Sequence, residues 1–206
     1  MKKMLLLLSV IVLTGCDLFK DSSATAGLFR KPAENIIKFR ENTIKLPKGY
    51  VKIETDQFRL ALDTLQNKPI LRNFALSELK NLEEKKTDFQ IFAQTSNIEN
   101  YVFVYACDFF TFDEQRAAQH VDILNKKRKA ESKKEKIRYQ RIHGRYFYTS
   151  NSKIIKLKYV RAYKKEKQFQ TEYIVASKTG GIGLLVSNIE NIDFEDSVKN
   201  SLVVNY

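Results

Sequence analysis

Lys153-Ile154-Ile155-Lys156-Leu157-Lys158-Tyr159-Val160-Arg161-Ala162-Tyr163-Lys164 opens the stretch that decides the fold. It reads as one long strand over residues 153–164. A tight reversal near Glu166-Lys167 follows, then a second strand over 168–178. Thr179-Gly180-Gly181 supplies a hairpin turn, because glycine reaches positive φ without a Cβ penalty, and residues 183–189 return as a strand. Just upstream, residues 137–142 and 145–149 read as short strands split by His143-Gly144. Consecutive strands joined by short turns form an antiparallel meander, since parallel pairs need long crossovers.

Towards the N-terminus the pattern alternates between strand and helix. Residues 100–110 are almost continuously apolar and aromatic, as in a central strand covered on both faces. Residues 88–95 alternate through Phe89, Ile91 and Ala93. Phe58, Leu62 and Leu65 recur at helical spacing with Asp56 placed to cap, which predicts a helix over 56–66. Pro69 ends that unit or begins the next. Leu71, Phe74, Ala75, Leu79 and Leu82 form the stripe of a second helix over 70–86. Thr111-Phe112-Asp113-Glu114 has capping-box spacing and opens a long helix to about Lys134, with Ala117, Ala118, Val121 and Leu124 facing inward. Phe194, Val198 and Leu202 mark a closing helix over 193–202. Val51 and Ile53 resume a strand after the Pro47 and Gly49 turn, and Ile36, Ile37 and Phe39 can start the fold. The expected class is α+β, a mostly antiparallel sheet with helices packed on it.

The first residues have a different character. Lys2 and Lys3 precede an apolar run from Met4 to Leu13 broken only by Ser9. The run has the length of a signal-peptide core and falls short of the roughly 20 residues of a membrane-spanning helix. It ends in Leu13-Thr14-Gly15-Cys16, which resembles the lipobox of bacterial lipoproteins. That resemblance implies cleavage before Cys16 and a diacylglyceryl thioether on its sulfur, a membrane anchor that includes chains of the palmitate type. Two chains anchor stably where one binds only marginally. Asp17 resembles an inner-membrane retention signal of enterobacterial sorting, and it also suits a plain linker. The expected organisation is a signal peptide over 1–15, a lipidated tether over 16–30 and a single domain over 31–206. The expected location is the cell envelope, with the domain on the periplasmic side of the inner or outer membrane.

Leu46-Pro47-Lys48-Gly49-Tyr50, the Tyr146-Phe147-Tyr148 strand, the meander after it and the closing helix together resemble the PsbP-like superfamily over residues 43–204. That group includes photosystem extrinsic proteins and a Ran-binding nuclear protein. The resemblance implies an α/β/α sandwich used mostly as a binding or assembly factor, with little enzyme activity.

Charge narrows the partners. Lys and Arg number 36 against 24 Asp and Glu, a formal net charge of +12, which favours anionic partners. For an exported chain these are lipid head groups, an anionic envelope polymer or an acidic envelope protein, and nucleic acid is not expected. The basic run Lys126, Lys127, Arg128, Lys129, Lys133, Lys134 and Lys136 is the candidate binding surface. Its plain alternative is solvated lysine near a helix C-terminus, where cations suit the macrodipole, with Glu131 and Glu135 able to pair at helical spacing.

Catalytic signals are sparse. The two histidines, His120 and His143, lie in no His-Glu-x-x-His motif, and no Cys-x-x-Cys is present. No metal site or cofactor is expected. Cys107, the cysteine left after lipidation, lies in an apolar strand and reads as packing. There is no Gly-x-Ser-x-Gly. Glu83-Glu84 sits in a charged helical run. A non-enzymatic tethered module is therefore the first expectation, with an enzyme of unfamiliar site or a structural lipoprotein behind it. A pocket uniting His143, Tyr146 and carboxylates would favour the enzyme.

Overall fold

The computed structural model describes residues 36–40, 42–107, 113–150, 152–177 and 180–201. Cys16, the tether, Thr111 and Leu202 lie outside these residues, as does Thr179 of the glycine turn. Two short strands, β1 (Ile36–Phe39) and β2 (Asn42–Lys45), make a hairpin of their own. Then follow β3 (Tyr50–Ile53), α1 (Thr55–Leu62), a 3₁₀ turn over Asp63–Leu65, α2 (Pro69–Glu84), β4 (Phe89–Gln94) and β5 (Asn97–Cys107). The second half holds α3 (Glu114–Glu135), β6 (Arg138–Tyr148), β7 (Ser152–Tyr163), β8 (Glu166–Ser177), β9 (Gly180–Asn188) and α4 (Glu195–Ser201).

Seven of the strands form one antiparallel sheet in the order β3-β4-β5-β9-β8-β7-β6. The meander β6 to β9 closes against β5, so the two halves of the chain meet at the sheet centre. Side-chain alternation splits the core. One face carries Ile91, Tyr101 and Phe103, which pack on Phe58, Leu62, Ala75 and Leu79 of α1 and α2. The Phe58 ring meets Tyr101 and Phe103 edge-on, with centroids 5.4 and 5.6 Å apart. The opposite face carries Val102, Val104, Tyr173, Val175 and Leu184, covered by Phe39 and Ile44 of the hairpin and by Phe194 and Val198 of α4. The molecule is α+β, with α1, α2 and α3 on one face of the sheet and the small hairpin with α4 on the other. Among the described residues no helix is long and apolar enough to cross a membrane.

Several local features differ from the sequence expectation, each for a physical reason. The cap of α1 is Glu54, whose backbone amide donates to the Gln57 side chain (3.4 Å), and Asp56 lies inside the first turn. Pro69 begins α2, the second of the two expected placements, where its missing N–H costs nothing. The cap of α3 is Asp113, whose side chain accepts from the Arg116 amide (2.8 Å). Ala118 is exposed on α3, while Ala117 is buried and Val121 and Leu124 are half-buried. The two short strands around His143-Gly144 are one strand, β6, with a bulge that leaves Ile142 unpaired between Arg141 and His143. The reversal between β7 and β8 is at Lys164-Lys165, where Lys164 takes a left-handed conformation (φ 51°). Lysines carry no turn signature, so the sequence pointed past it.

Gly183 has a packing reason. A Cβ built on it would lie 2.1 Å from the Tyr105 ring. The ring of the facing β5 residue therefore lies directly across the β9 backbone. Gly183→Ala should displace that ring and cost about 1–3 kcal/mol, the usual range for overpacking. Urea denaturation measures it, and an unchanged midpoint would show that the ring does not depend on this glycine.

Candidate binding groove

The groove starts from a charge inside the sheet's helical face. Arg161 on β7 is almost fully buried, with 3 % of its side chain exposed. An isolated buried guanidinium is costly, so it must find partners. Its Nη1 pairs with Glu78 Oε1 of α2. Its Nε donates to Gln168 Oε1 (3.0 Å) and its Nη2 to Tyr101 Oη (3.2 Å). The guanidinium also lies over the Phe74 ring, 4.1 Å from its centroid. Tyr101 Oη in turn donates to Glu78 Oε2 (2.8 Å), and Gln170 Nε2 donates to Glu78 Oε1 (2.5 Å). One carboxylate from α2 thus ties β5, β7 and β8 together. Burial, with Glu78 next to it, pushes the Tyr101 hydroxyl far above its ordinary value, so it stays protonated and keeps donating.

A second arginine, Arg128, sits on the inner side of α3. Its guanidinium lies 5.3 Å from the Tyr139 ring centroid and 6.0 Å from that of Tyr159, and its Nη1 donates to Glu131 Oε2 (2.9 Å). Burial opposes its charge, but Glu131 and Glu172 outweigh that and hold it protonated more firmly than usual. Asn125 Oδ1 accepts from Tyr159 Oη (2.7 Å). This layer of arginine and tyrosine holds α3 over the β6 edge and apart from α2.

Between α2 and α3 the sheet is left uncovered, and a groove of about 1410 Å³ runs there. Phe74, Ser77, Glu78 and Asn81 line one wall, and His120, Leu124, Lys127 and Arg128 the other. Tyr105, Cys107, Glu172, Ile174 and Leu185 form the floor. Tyr105 Oη donates to Glu172 Oε1 (3.0 Å). Burial first, and Glu172 second, push the Tyr105 hydroxyl well above its ordinary value, which keeps it a donor. A concave site with mixed apolar walls and a few convergent polar groups is the usual form of a ligand site.

The residues singled out in sequence fall in different places. The basic run divides. Lys126, Lys129, Lys133 and Lys134 are exposed, and Lys126, Lys129 and Lys133 follow helical spacing along the solvent side of α3. Lys126 pairs with Asp122 (2.8 Å). Arg128 is turned inward, so it is not part of an outer basic surface. Lys127 stands at the groove rim, and Lys136 is the left-handed C-cap of α3. Glu83 and Glu84 are committed to separate ion pairs, with Arg59 (2.7 Å) and Lys80 (3.5 Å). Cys107 packs with Ala117, Ile155 and Ile174.

His143 and Tyr146 do not share a pocket. His143 is opposite Lys158 and Tyr146 opposite Ile155 in the β6–β7 register, which puts them on opposite faces of the sheet. Tyr146 packs beside Ala117 on the α3 face. His143 is on the α4 face. There Lys156, 3 % exposed, donates to Asp193 (2.5 Å) and Glu195 (2.9 Å), and Lys158 donates to the Ile192 carbonyl (3.0 Å). Burial lowers the His143 pKa below its ordinary value, and Lys156 and Arg145 lower it further. This cluster fixes the loop before α4. Among the described residues no group of three or more His, Cys, Asp or Glu is placed to hold a metal.

The sequence reading missed Arg161, Glu78, Tyr105 and Glu172. A signal existed for Arg161 and Glu172, charges in strands whose neighbours are apolar. No model of a known protein family matches the chain, and no curated protein matches it.

Removing one partner of a buried pair strands the other charge, at a cost of about 3–5 kcal/mol. Glu78→Leu should lose that much in urea denaturation, while Glu78→Leu combined with Arg161→Met should recover most of it. A double variant as unstable as the single one would mean that the charge pair is not the source of the loss.

Proposed function

We propose that the chain is a lipid-anchored protein of the cell envelope, and that its domain is a non-enzymatic binding or assembly module that takes its ligand in the α2–α3 groove. The observation that carries this reading is the groove itself, held open by the buried Arg161 and the half-buried Arg128, with no catalytic cluster beside it among the described residues. The Leu13-Thr14-Gly15-Cys16 leader supports the anchor, with the lipid on Cys16 and the domain on the periplasmic side. The resemblance of residues 43–204 to the PsbP-like superfamily favours a binding role over an enzymatic one. Tyr101 and Tyr105 are held protonated, and the Glu78 oxygens are occupied by Arg161, Gln170 and Tyr101. Such groups orient a ligand more readily than they exchange protons with it.

A second contact has its own observation. Lys126, Lys129, Lys133 and Lys134 ride on the outside of α3, and the exposed Ile123 lies on the same helix, 62 % exposed. An anionic bilayer or envelope polymer meets such a surface, at about 1 kcal/mol per lysine at most. On this reading the ridge orients the tethered domain and the groove holds the ligand.

Crosslinking in intact cells separates the two roles. The full lipoprotein should give one dominant adduct. Leu124→Trp, which fills the groove, should reduce that adduct at least tenfold, and neutralising the four ridge lysines to Gln should leave most of it. An adduct that survives Leu124→Trp and disappears with the lysines would move the binding site from the groove to the ridge. Cys16→Ser should release the protein from the membrane fraction, and retention there would contradict the anchor.

A further inference from the structure

The two edges of the large sheet differ in character. At one edge β3 has four residues, of which only Lys52 is exposed. At the other edge β6 has eleven residues, and no strand pairs with its outer side among the described residues. Residues 140–145 of β6 are exposed without a break. Gly144 falls in this stretch, and because it has no side chain its exposure is that of the backbone. Every second N–H and C=O of an antiparallel edge strand points away from its partner. Left open to solvent, such a row is a template for another strand.

Charge decides which strand fits. Residues 136–165 contain lysine and arginine but no Asp or Glu. Inside the fold these cations are answered from elsewhere: Arg161 by Glu78, Lys156 by Asp193 (2.5 Å), and Arg145 by Glu195. Arg138 and Arg141, exposed on the open edge, are in no ion pair among the described residues. They stand opposite Ala162 and Tyr159 of β7, so each is on a different face of the sheet. A strand lying along β6 therefore meets a free cation on both faces. Ile142, unpaired with β7 at the bulge and 45 % exposed, adds an apolar contact between them.

Bulges and charges are also the means by which edges avoid pairing with themselves. Two β6 edges brought together would set arginine near arginine, and like charges facing across strands are destabilising. The same arginines thus reject a second copy of this chain and favour a strand that carries carboxylates.

We propose that the β6 edge over residues 138–145 is a docking site for an extended acidic segment of a partner protein, which adds to the sheet as a further strand. Arg138, Arg141, Ile142 and Gly144 do not line the α2–α3 groove, so this site stands whether or not the groove holds a ligand.

Hydrogen exchange read by mass spectrometry, on the full chain in neutral detergent, tests the proposal. The probe is a short blocked peptide of alternating Glu and Val. One control carries Lys for Glu. Another is the acidic peptide with its backbone amides N-methylated, which keeps the charge but cannot donate to a ladder. The acidic peptide should slow exchange over residues 138–148 at least tenfold and leave α2 unchanged, and neither control should do so. Arg138→Gln combined with Arg141→Gln, both at exposed positions, should raise the peptide concentration for half protection at least threefold. Equal protection by the N-methylated peptide would show contact through charge alone and overturn strand addition. Equal protection by the lysine peptide, or an unchanged double variant, would overturn the acidic preference and the proposal with it. Vesicles of anionic phospholipid form a further arm. If they protect residues 138–148 and the peptide does not, the edge faces a membrane and the proposal falls. It falls too if no probe protects the edge, or if the acidic peptide protects only groove residues.

Discussion

A guanidinium buried in the face of an antiparallel sheet constrains everything above it. Arg161 must be met by a carboxylate, and Glu78 can meet it only if α2 lies at one height and rotation over β5, β7 and β8. Replacing such pairs by apolar groups is often neutral or stabilising, so their contribution is geometry more than stability. The Arg161 network fixes where α2 stops. Arg128, stacked on Tyr139 and Tyr159, fixes where α3 stops. Two helices held in this way cannot slide together to cover the sheet, and the groove is what remains between them.

The same strand organises the opposite face. Tyr159 and Arg161 on β7 face α2 and α3, while Lys156 and Lys158 face α4 and the loop before it. Lys156 holds Asp193 and Glu195, and Tyr173 Oη donates to Asp193 (2.9 Å). Burial alone would raise the Asp193 pKa, but the bonds from Lys156 and Tyr173 outweigh it and hold the carboxyl below its ordinary value. With α4 fastened and the β1–β2 hairpin packed beside it, the centre of this face has an apolar cover. The two faces thus differ: this one is covered by α4 and the hairpin, and the other keeps a furrow.

The architecture was legible where one periodicity dominated. The apolar run of β5, the stripe of α2 and the β7–β8–β9 hairpins follow from alternation and from glycine at the last turn. Legibility failed where side chains decide by pairing across distance. Arg128 sits in a run of lysines and looks solvated, yet its planar fork stacks on two tyrosines about ten and thirty residues away, a role the flexible lysine ammonium does not fill. His143 and Tyr146 are close in sequence, but three steps along a strand put them on opposite faces, and the bulge at Ile142 sets which face each takes. Glu172 carries an inward charge whose meaning depends on Tyr105 in β5, two strands away across β9. The expected leader over 1–15 and tether over 16–30 lie outside the described residues, and the reading of Cys16 rests on its motif.

The central claim is that the Glu78–Arg161 network holds α2 in place and thereby the groove open. Native-state hydrogen exchange on Glu78→Ala tests it most directly. The account predicts that amides of β5 and β9 at the sheet centre lose only the global stability that goes with one removed partner, while those of α2 lose protection by a further factor of ten or more. If α2 amides lose no more protection than those of β5 and β9, α2 is held by apolar packing alone and the network does not set the groove.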